Sequence, residues 1–382
     1  MKIHAVDFFY LRMPEVLDIG DGSQDALLVR VQAGRWTGWG ECEASPVVSI
    51  ASWSAPMSHS ACKPVRDSVL GQRLDGVDDI ARIHRAVREN GLDMLQTSHT
   101  LSGIDMALWD LLGHRFEAPV YSLLGIARPT GKRPYASVLF GDTPEETHAK
   151  AAHLSAFDYA GVKFGWGPFG RGSVLEDEKH LEAAREGLGP KIDLMVDAGT
   201  VWNSVAEAAL RIPALERANA YWLEEPFIGW SLAAHRDLAR LTQVPLAAGE
   251  GCHHEEQAIS LMEFGGVRFI QIDAGRIGGI TSARRVAEAA ARVGVTYVNH
   301  TFTTSLALSA SLQPFADHPE GGYCEYPVES SPLARELTEP LERSPDGVVR
   351  VPERPGLGFT PRPEALLKYG VSVEIRVGGE PA

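Results

Sequence analysis

Apolar and polar positions follow two different periods along this chain. From residue 134 to about 326, short apolar runs alternate with longer stretches whose apolar residues recur every three to four positions. The short runs at 135–139, 161–164, 194–197, 221–224, 246–250, 269–273, 296–300 and 323–325 read as buried strands. The stretches at 144–157, 174–186, 205–216, 233–241, 255–264, 281–293 and 304–315 read as amphipathic helices. Parallel strands need crossover connections, and helices of this length supply them. Eight strand–helix repeats therefore predict a closed parallel (β/α) barrel of the TIM type.

The flanks read differently. Residues 1 to about 45 alternate in strand fashion, most clearly over 26–32, with Gly34, Gly38 and Gly40 at the turns. Residues 76–125 are helical in pattern, with Ser102 an N-cap candidate ahead of the apolar spacing of 103–112. Residues 47–68 are rich in Ser, Ala and Pro, show no period and read as a loop. After 327 the chain becomes turn-rich again, with strand-like runs at 347–351 and 371–377 expected to pack on the N-terminal β-structure. The expected units are 1–130, 131–326 and 327–382.

Composition narrows the function. The 382 residues are 44% hydrophobic and 23% charged, which suits a globular chain with a large core. A net charge of −14 argues against non-specific nucleic-acid binding. No apolar run is long enough to span a bilayer, and Met1-Lys2-Ile3-His4 does not begin a secretory signal. Cys42, Cys62, Cys252 and Cys324 are scattered without a CxxC pair, which predicts reduced thiols and a cytoplasmic setting.

The ionisable residues of the barrel region gather at the strand ends: Lys163, Asp197, Glu224, Glu250, Asp273, His300 and Glu325. They are spaced by about one βα unit, and a barrel brings the carboxyl ends of its strands to a single mouth. Buried charges need partners or a metal. Three carboxylates on consecutive strands, Asp197, Glu224 and Glu250, with no thiol or imidazole among them, suit Mg²⁺ or Mn²⁺ rather than Zn²⁺. Glu224 and Glu225 compete for one ligand place, and strand alternation assigns it to Glu224. Asp273 and His300 lie one strand apart, and an Asp on one imidazole nitrogen raises the basicity of the other, giving a general base. Lys163 suits a substrate carboxylate or a leaving group, or else a salt bridge to a ligand carboxylate. Glu325 suits the substrate carboxylate as an acid kept protonated by apolar surroundings. Trp166 and Arg276 are weaker substrate-binding candidates. The acids of His253-His254-Glu255-Glu256 suit the start of a helix. The glycine-rich run at 161–170 has its Lys at the wrong place for a phosphate loop.

Gly38-Trp39-Gly40-Glu41, the 102–112 helix with 121–125, Val196-Asp197, Leu223-Glu224-Glu225-Pro226, Gly249-Glu250, Gln271-Ile272-Asp273, Asn299-His300, Glu325 and Pro355-Gly356-Leu357-Gly358 together resemble the enolase superfamily. Within it they resemble the mandelate racemase subgroup, over nearly the whole chain. The resemblance implies an N-terminal α+β capping domain, completed by the C-terminal tail, whose loops close over the barrel mouth. It implies an essential Mg²⁺ held by Asp197, Glu224 and Glu250, an enediolate intermediate, an Asp273–His300 dyad and Glu325 as electrophile. It also implies a homo-oligomer, a dimer or an octamer, acting on a small carboxylate without nucleic-acid or membrane partners.

One departure changes the expected reaction. Racemising members carry Lys-x-Lys where this chain has Lys163-Phe164-Gly165, and the residue two past the first ligand is Gly199. A second base is therefore missing, and one base suffices for β-elimination. The expected activity is dehydration of an acid sugar, a 2,3-dihydroxy carboxylate, to a 2-keto-3-deoxy acid. The alternatives are a racemase or epimerase, and a non-catalytic sugar-acid-binding protein. Specificity is expected from the loops near 15–25 and 45–60.

Overall fold

Strands β1 (Ile3–Leu11), β2 (Ala26–Ala33) and β3 (Trp36–Cys42) pair antiparallel in that order. The computed structural model describes residues 1–18, 24–319 and 321–373, so part of the expected 15–25 specificity loop lies outside the described residues. The helix Thr97–Phe116 lies directly on β3. Glycine makes that approach possible: a Cβ at Gly38 would stand 2.1 Å from the Ala107 carbonyl oxygen, and one at Gly40 2.1 Å from that of Gly103. The buried carboxylate of Asp110 then accepts from the Trp39 N–H at 2.8 Å and from the Leu357 N–H at 2.7 Å. One side chain thus ties the helix to both the N-terminal sheet and the C-terminal segment. Asp110→Ala would strand two buried donors and is expected to cost about 2–4 kcal/mol, read as a lower urea midpoint.

Two expectations for this region are corrected. Residues 47–68 are not a plain loop: they include the helices Pro46–Ser54 (from residue 46) and Val65–Val69. The first carries no charged residue, so no polar face marks its period in the sequence. Ser102 is not an N-cap of its own helix. The helix begins at Thr97, and Ser102 lies within it, donating to the Ser98 carbonyl at 2.9 Å.

The barrel strands are β4 (Arg133–Leu139), β5 (Gly161–Gly165), β6 (Asp193–Asp197), β7 (Ala220–Glu224), β8 (Leu246–Ala248), β9 (Phe269–Asp273), β10 (Thr296–His300) and β11 (Tyr323–Pro327). They pair in parallel in the order β10-β9-β8-β7-β6-β5-β4-β11. The two ends of that order meet through a side chain. Asn299 accepts from the Glu325 N–H at 3.0 Å and donates to the Glu325 carbonyl at 3.4 Å. Tyr135, Met195, Trp222, Ala247, Val298 and Tyr323 fill the interior beneath the mouth. The expected helix 205–216 is two helices, Val205–Ala209 and Ile212–Arg217, because Pro213 cannot donate into a continuing ladder. Strand β8 is shorter than expected and Glu250 lies beyond it, after Gly249 at φ 136°.

The C-terminal segment returns across the molecule. Val349 bridges Lys132, Gly370 bridges Leu11, and the Val371 N–H donates to Tyr10. The strand-like run expected at 371–377 lies beyond residue 373 for more than half its length, outside the described residues. All four thiols are free. Among the described residues, no helix is long and apolar enough to cross a membrane.

Candidate active site

Parallel register sets the height of each polar group. Gly165, Asp197, Glu224 and Ala247 stand in one row across β5–β8, and Asp273 pairs with His300 across β9 and β10. Lys163 does not end its strand. It pairs with Met195, two residues deeper, which aims its ammonium up from below the carboxylate row. Its Nζ lies 2.6 Å from Glu224 and 2.8 Å from Glu325, so it makes the salt bridge to a candidate ligand that its position allows. Burial opposes that charge, yet Glu224 and Glu325 hold the ammonium well above its ordinary pKa.

Glu224 is fully buried and accepts from Gln271 at 2.6 Å and from the Trp222 indole at 3.0 Å as well as from Lys163. Asp197 accepts from the Gly199 N–H at 2.7 Å. Burial, and then the charge of Glu224, pushes the Asp197 carboxyl well above the carboxylate range. Glu225, the neighbour of Glu224, is not turned out to solvent. It takes φ 40° just past β7 and is also buried, and burial followed by the charges of Glu250, Asp197 and Glu224 raises it strongly. Four carboxylates therefore crowd one end of the barrel, more than Lys163 and Arg276 neutralise. Such a set of hard oxygen donors fits a divalent cation. Among the described residues, no three of these side chains already converge as a finished metal site. Glu224 is turned to Lys163, and Glu250 to His300 and Arg276.

The His300 imidazole sits between two acids, with Nδ1 2.8 Å from Asp273 and Nε2 3.1 Å from Glu250. Burial works against its protonation, but Glu250, Glu325 and Asp273 raise its pKa to about 10. Asp273 also accepts from the Gly275 N–H at 2.6 Å, and despite burial its carboxyl is held low by His300 and Arg276. Glu325 accepts from the Thr301 N–H at 2.8 Å and from Lys163, two donors on its two oxygens. Arg276 reaches Glu250 at 3.2 Å and Glu43 at 3.5 Å, with its guanidinium 5.9 Å from the Phe302 ring.

Above these residues opens a small cleft, lined in part by Lys163, Gly165, Trp166, Asp197, Phe302 and Glu329. Gly165 offers it no side chain, and a Cβ there would stand 2.8 Å from an Asp197 oxygen. Trp166 is held at φ 56°, in the left-handed region, and a Cβ at Gly199 would stand 3.2 Å from its ring. Strain of this kind concentrates at functional sites. Phe302 packs edge-on to His300, with ring centroids 5.0 Å apart. Sequence reasoning passed over Phe302, Gln271 and Glu43. Gln271 alternates with Asp273 on β9 and was findable on that ground; Glu43 lies over two hundred residues from Arg276 and gave no such signal.

Two family models match the chain. Residues 146–365 match "Enolase C-terminal domain-like", and residues 10–125 match "Mandelate racemase / muconate lactonizing enzyme, N-terminal domain". The chain is 29% identical to the D-galactarolactone cycloisomerase of Agrobacterium fabrum, covering 90% of each protein. It is 30% identical to the L-talarate/galactarate dehydratase of Salmonella typhimurium, covering 79% of this chain and 73% of that one. A crystal structure described as a predicted mandelate racemase from Rhodobacter sphaeroides superposes with a TM-score of 0.94 at 56% identity, covering 99% of this chain and 98% of that one.

Proposed function

Because the chain belongs to the mandelate racemase subgroup of the enolase superfamily, we propose that it abstracts the α-proton of an acid sugar with His300 and expels the 3-hydroxyl as water. The observation that carries this reading is the His300 imidazole, fixed by Asp273 at 2.8 Å and set beside the buried carboxylate row, opposite a strand end that bears Gly165. Residues 1–130 are the cap, 131–326 the barrel and 327–382 the returning segment. A homo-oligomer, dimer or octamer, is the expected assembly.

Asp197, Glu224 and Glu250 are the residues that would hold Mg²⁺, or Mn²⁺ in its place. Enzymes of this superfamily typically bind Mg²⁺, and the donor set here is hard oxygen throughout. When bound, the ion stabilises negative charge developing on substrate carboxylate oxygens. The chain's own residues do the rest. Asp273 accepts the Nδ1 proton and so presents Nε2 as the basic nitrogen. In the resting arrangement Glu250 faces Nε2 and favours the protonated ring, so that contact must be broken and the Nε2 proton released before the imidazole can act as base. It then breaks the C2–H bond, leaving an enediolate. The C3–O bond breaks next, and His300 returns its proton to the departing hydroxyl on the same face. The resulting enol becomes the 2-keto-3-deoxy acid. Lys163 and Glu325 are the groups for the substrate carboxylate, Trp166 walls the cleft, and Arg276 steadies Glu250.

The test is a panel of acid sugars incubated with enzyme and Mg²⁺, scored for semicarbazide-reactive keto acid. Product from at least one aldonate or aldarate is expected. Keto acid from none of them would overturn the dehydratase reading. A 1,1-proton transfer is the second reading, favoured by the aim of Lys163 into the same cleft. Deuterium gained from D₂O at C2 of recovered substrate, with the C2 epimer and no keto acid, would select it. Mg²⁺ binding without turnover of any substrate would leave a sugar-acid-binding protein.

A further inference from the structure

The turn that follows β9 is held from outside the barrel. Residues 274–278 connect Asp273 to the helix Gly279–Val293, whose first turn has no cap from its own chain segment. Its donors are met by the cap helix Thr97–Phe116 instead. Asp105 accepts from the Thr281 N–H at 3.0 Å and from the Thr281 hydroxyl at 2.6 Å, and Trp109 donates to that same hydroxyl at 3.0 Å. Ser102 accepts from the Gly278 N–H at 2.9 Å. His84, from the neighbouring cap helix Val77–Asn90, stands 3.1 Å from the Gly278 carbonyl and 3.0 Å from the Ser282 hydroxyl. The Glu43 N–H donates to the Gly275 carbonyl at 3.1 Å. Ser102, Asp105 and His84 are all buried.

The fit is too close for the turn to shift independently. Gly279 takes φ 90°, and a Cβ there would stand 2.4 Å from an Asp105 oxygen. A Cβ at Gly275 would stand 2.8 Å from that of Glu43. Within the turn, the Asp273 carbonyl accepts from the Arg276 and Ile277 N–H groups, and its carboxylate accepts from the Gly275 N–H. The cap therefore grips the turn at two places, through Glu43 at Gly275 and through the cap helix at Gly278 and Thr281, and the N–H groups of residues 275–277 inside the turn hold the Asp273 carboxylate and carbonyl, with the carboxylate on Nδ1 of His300.

We propose that Ser102 and Asp105 are positioning residues for the Asp273–His300 pair, holding the turn after β9 from across the cap–barrel boundary so that the Asp273 carboxylate stays on Nδ1. This rests on the reading of His300 as the base. The cap then does more than cover the mouth: it sets the orientation of the imidazole. Partners hydrogen-bonded directly to a metal ligand typically matter by about 10- to 100-fold, and the more remote hold of Ser102 and Asp105 is expected to reach at most that range.

Asp110 supplies the control. It lies on the same helix, equally buried, but its carboxylate is spent on Trp39 and Leu357, away from the turn. The experiment compares Asp105→Ala, Ser102→Ala and Asp110→Ala in the full-length protein. Four quantities are read: kcat, KM, the urea midpoint, and the ¹⁵N shift of the hydrogen-bonded Nδ1 of His300, assigned through its loss in His300→Asn. Asp105→Ala is expected to lower kcat by up to about 100-fold and to displace the Nδ1 signal, with KM little changed; Ser102→Ala does the same to a smaller degree. Asp110→Ala is expected to lose stability while keeping kcat and the Nδ1 signal. Wild-type kcat and an unmoved Nδ1 signal in Asp105→Ala would overturn the proposal, as would both changes appearing in Asp110→Ala. If Asp105→Ala does not fold, Thr281→Val removes the hydroxyl half of the contact and reads the same split. A wild-type protein inactive on every acid sugar would count against the base reading, whereas the ¹⁵N comparison would still decide whether the cap positions the imidazole.

Discussion

His300→Asn is expected to lower kcat on the acid sugar by about 10³-fold, the scale of losing a positioned general base, with KM little altered. Asparagine fills much of the space of imidazole and keeps a donor for Asp273, so the turn after β9 and the neighbouring strands are left in place. What is lost is the nitrogen that accepts the α-proton. Exchange of the C2 hydrogen in D₂O should fall with kcat, because both need that transfer. Parallel loss of exchange and elimination identifies the base. Retained exchange with lost elimination would mean that His300 serves only the departing hydroxyl. Retention of full turnover would remove the residue from the chemistry.

The second large effect concerns the metal. Chelation is expected to abolish turnover and Mg²⁺ to restore it. Millimolar Mg²⁺ is also expected to raise the melting temperature of the wild type but not of Glu224→Gln. A ligand present at a hundred times its Kd stabilises the folded state by about 2.7 kcal/mol. The physical source is the crowd of buried acids. Asp197, Glu224 and Glu225 all have carboxyl pKa values raised by burial, with neighbouring acids adding to the effect. A carboxyl raised in the folded state contributes stability at low pH and loses it as pH rises through its raised value. The metal-free protein should therefore weaken above the ordinary carboxylate range. The Mg²⁺ increment should grow over the same window, since ligands must be deprotonated to bind. A melting temperature indifferent to Mg²⁺ at every pH would contradict the ligand assignment.

The acids of the site were legible because they share two regularities. Each stands at or near a strand end, and the strands recur at the length of one βα unit. Alternation along β7 placed Glu224 inward, and it is inward. Alternation fails one residue later, because Glu225 takes φ 40° as the strand ends and stays buried beside its neighbour. Ser102 shows the other limit. A serine within an apolar helical run has the pattern of a helix start, and nothing local says that its partner is a turn 176 residues further on. Arg276 and Glu43 meet across a similar gap. Local periods predict which face of an element is buried. They do not predict which distant backbone groups that face will serve.

The closure of the barrel by Asn299 has a consequence for how the site can open. Around most of the wall, neighbouring strands separate only by rupturing main-chain rungs. Between β10 and β11 the contacts at Glu325 run through side chains, the Asn299 amide on its main chain and its own carboxylate on the Thr301 N–H. His300 is the next residue on one bank of this seam, and Glu325 stands on the other. The Glu325 amide is therefore expected to exchange its hydrogen faster than amides held in the main-chain ladder of β9 and β10, which a hydrogen-exchange comparison of the two would check.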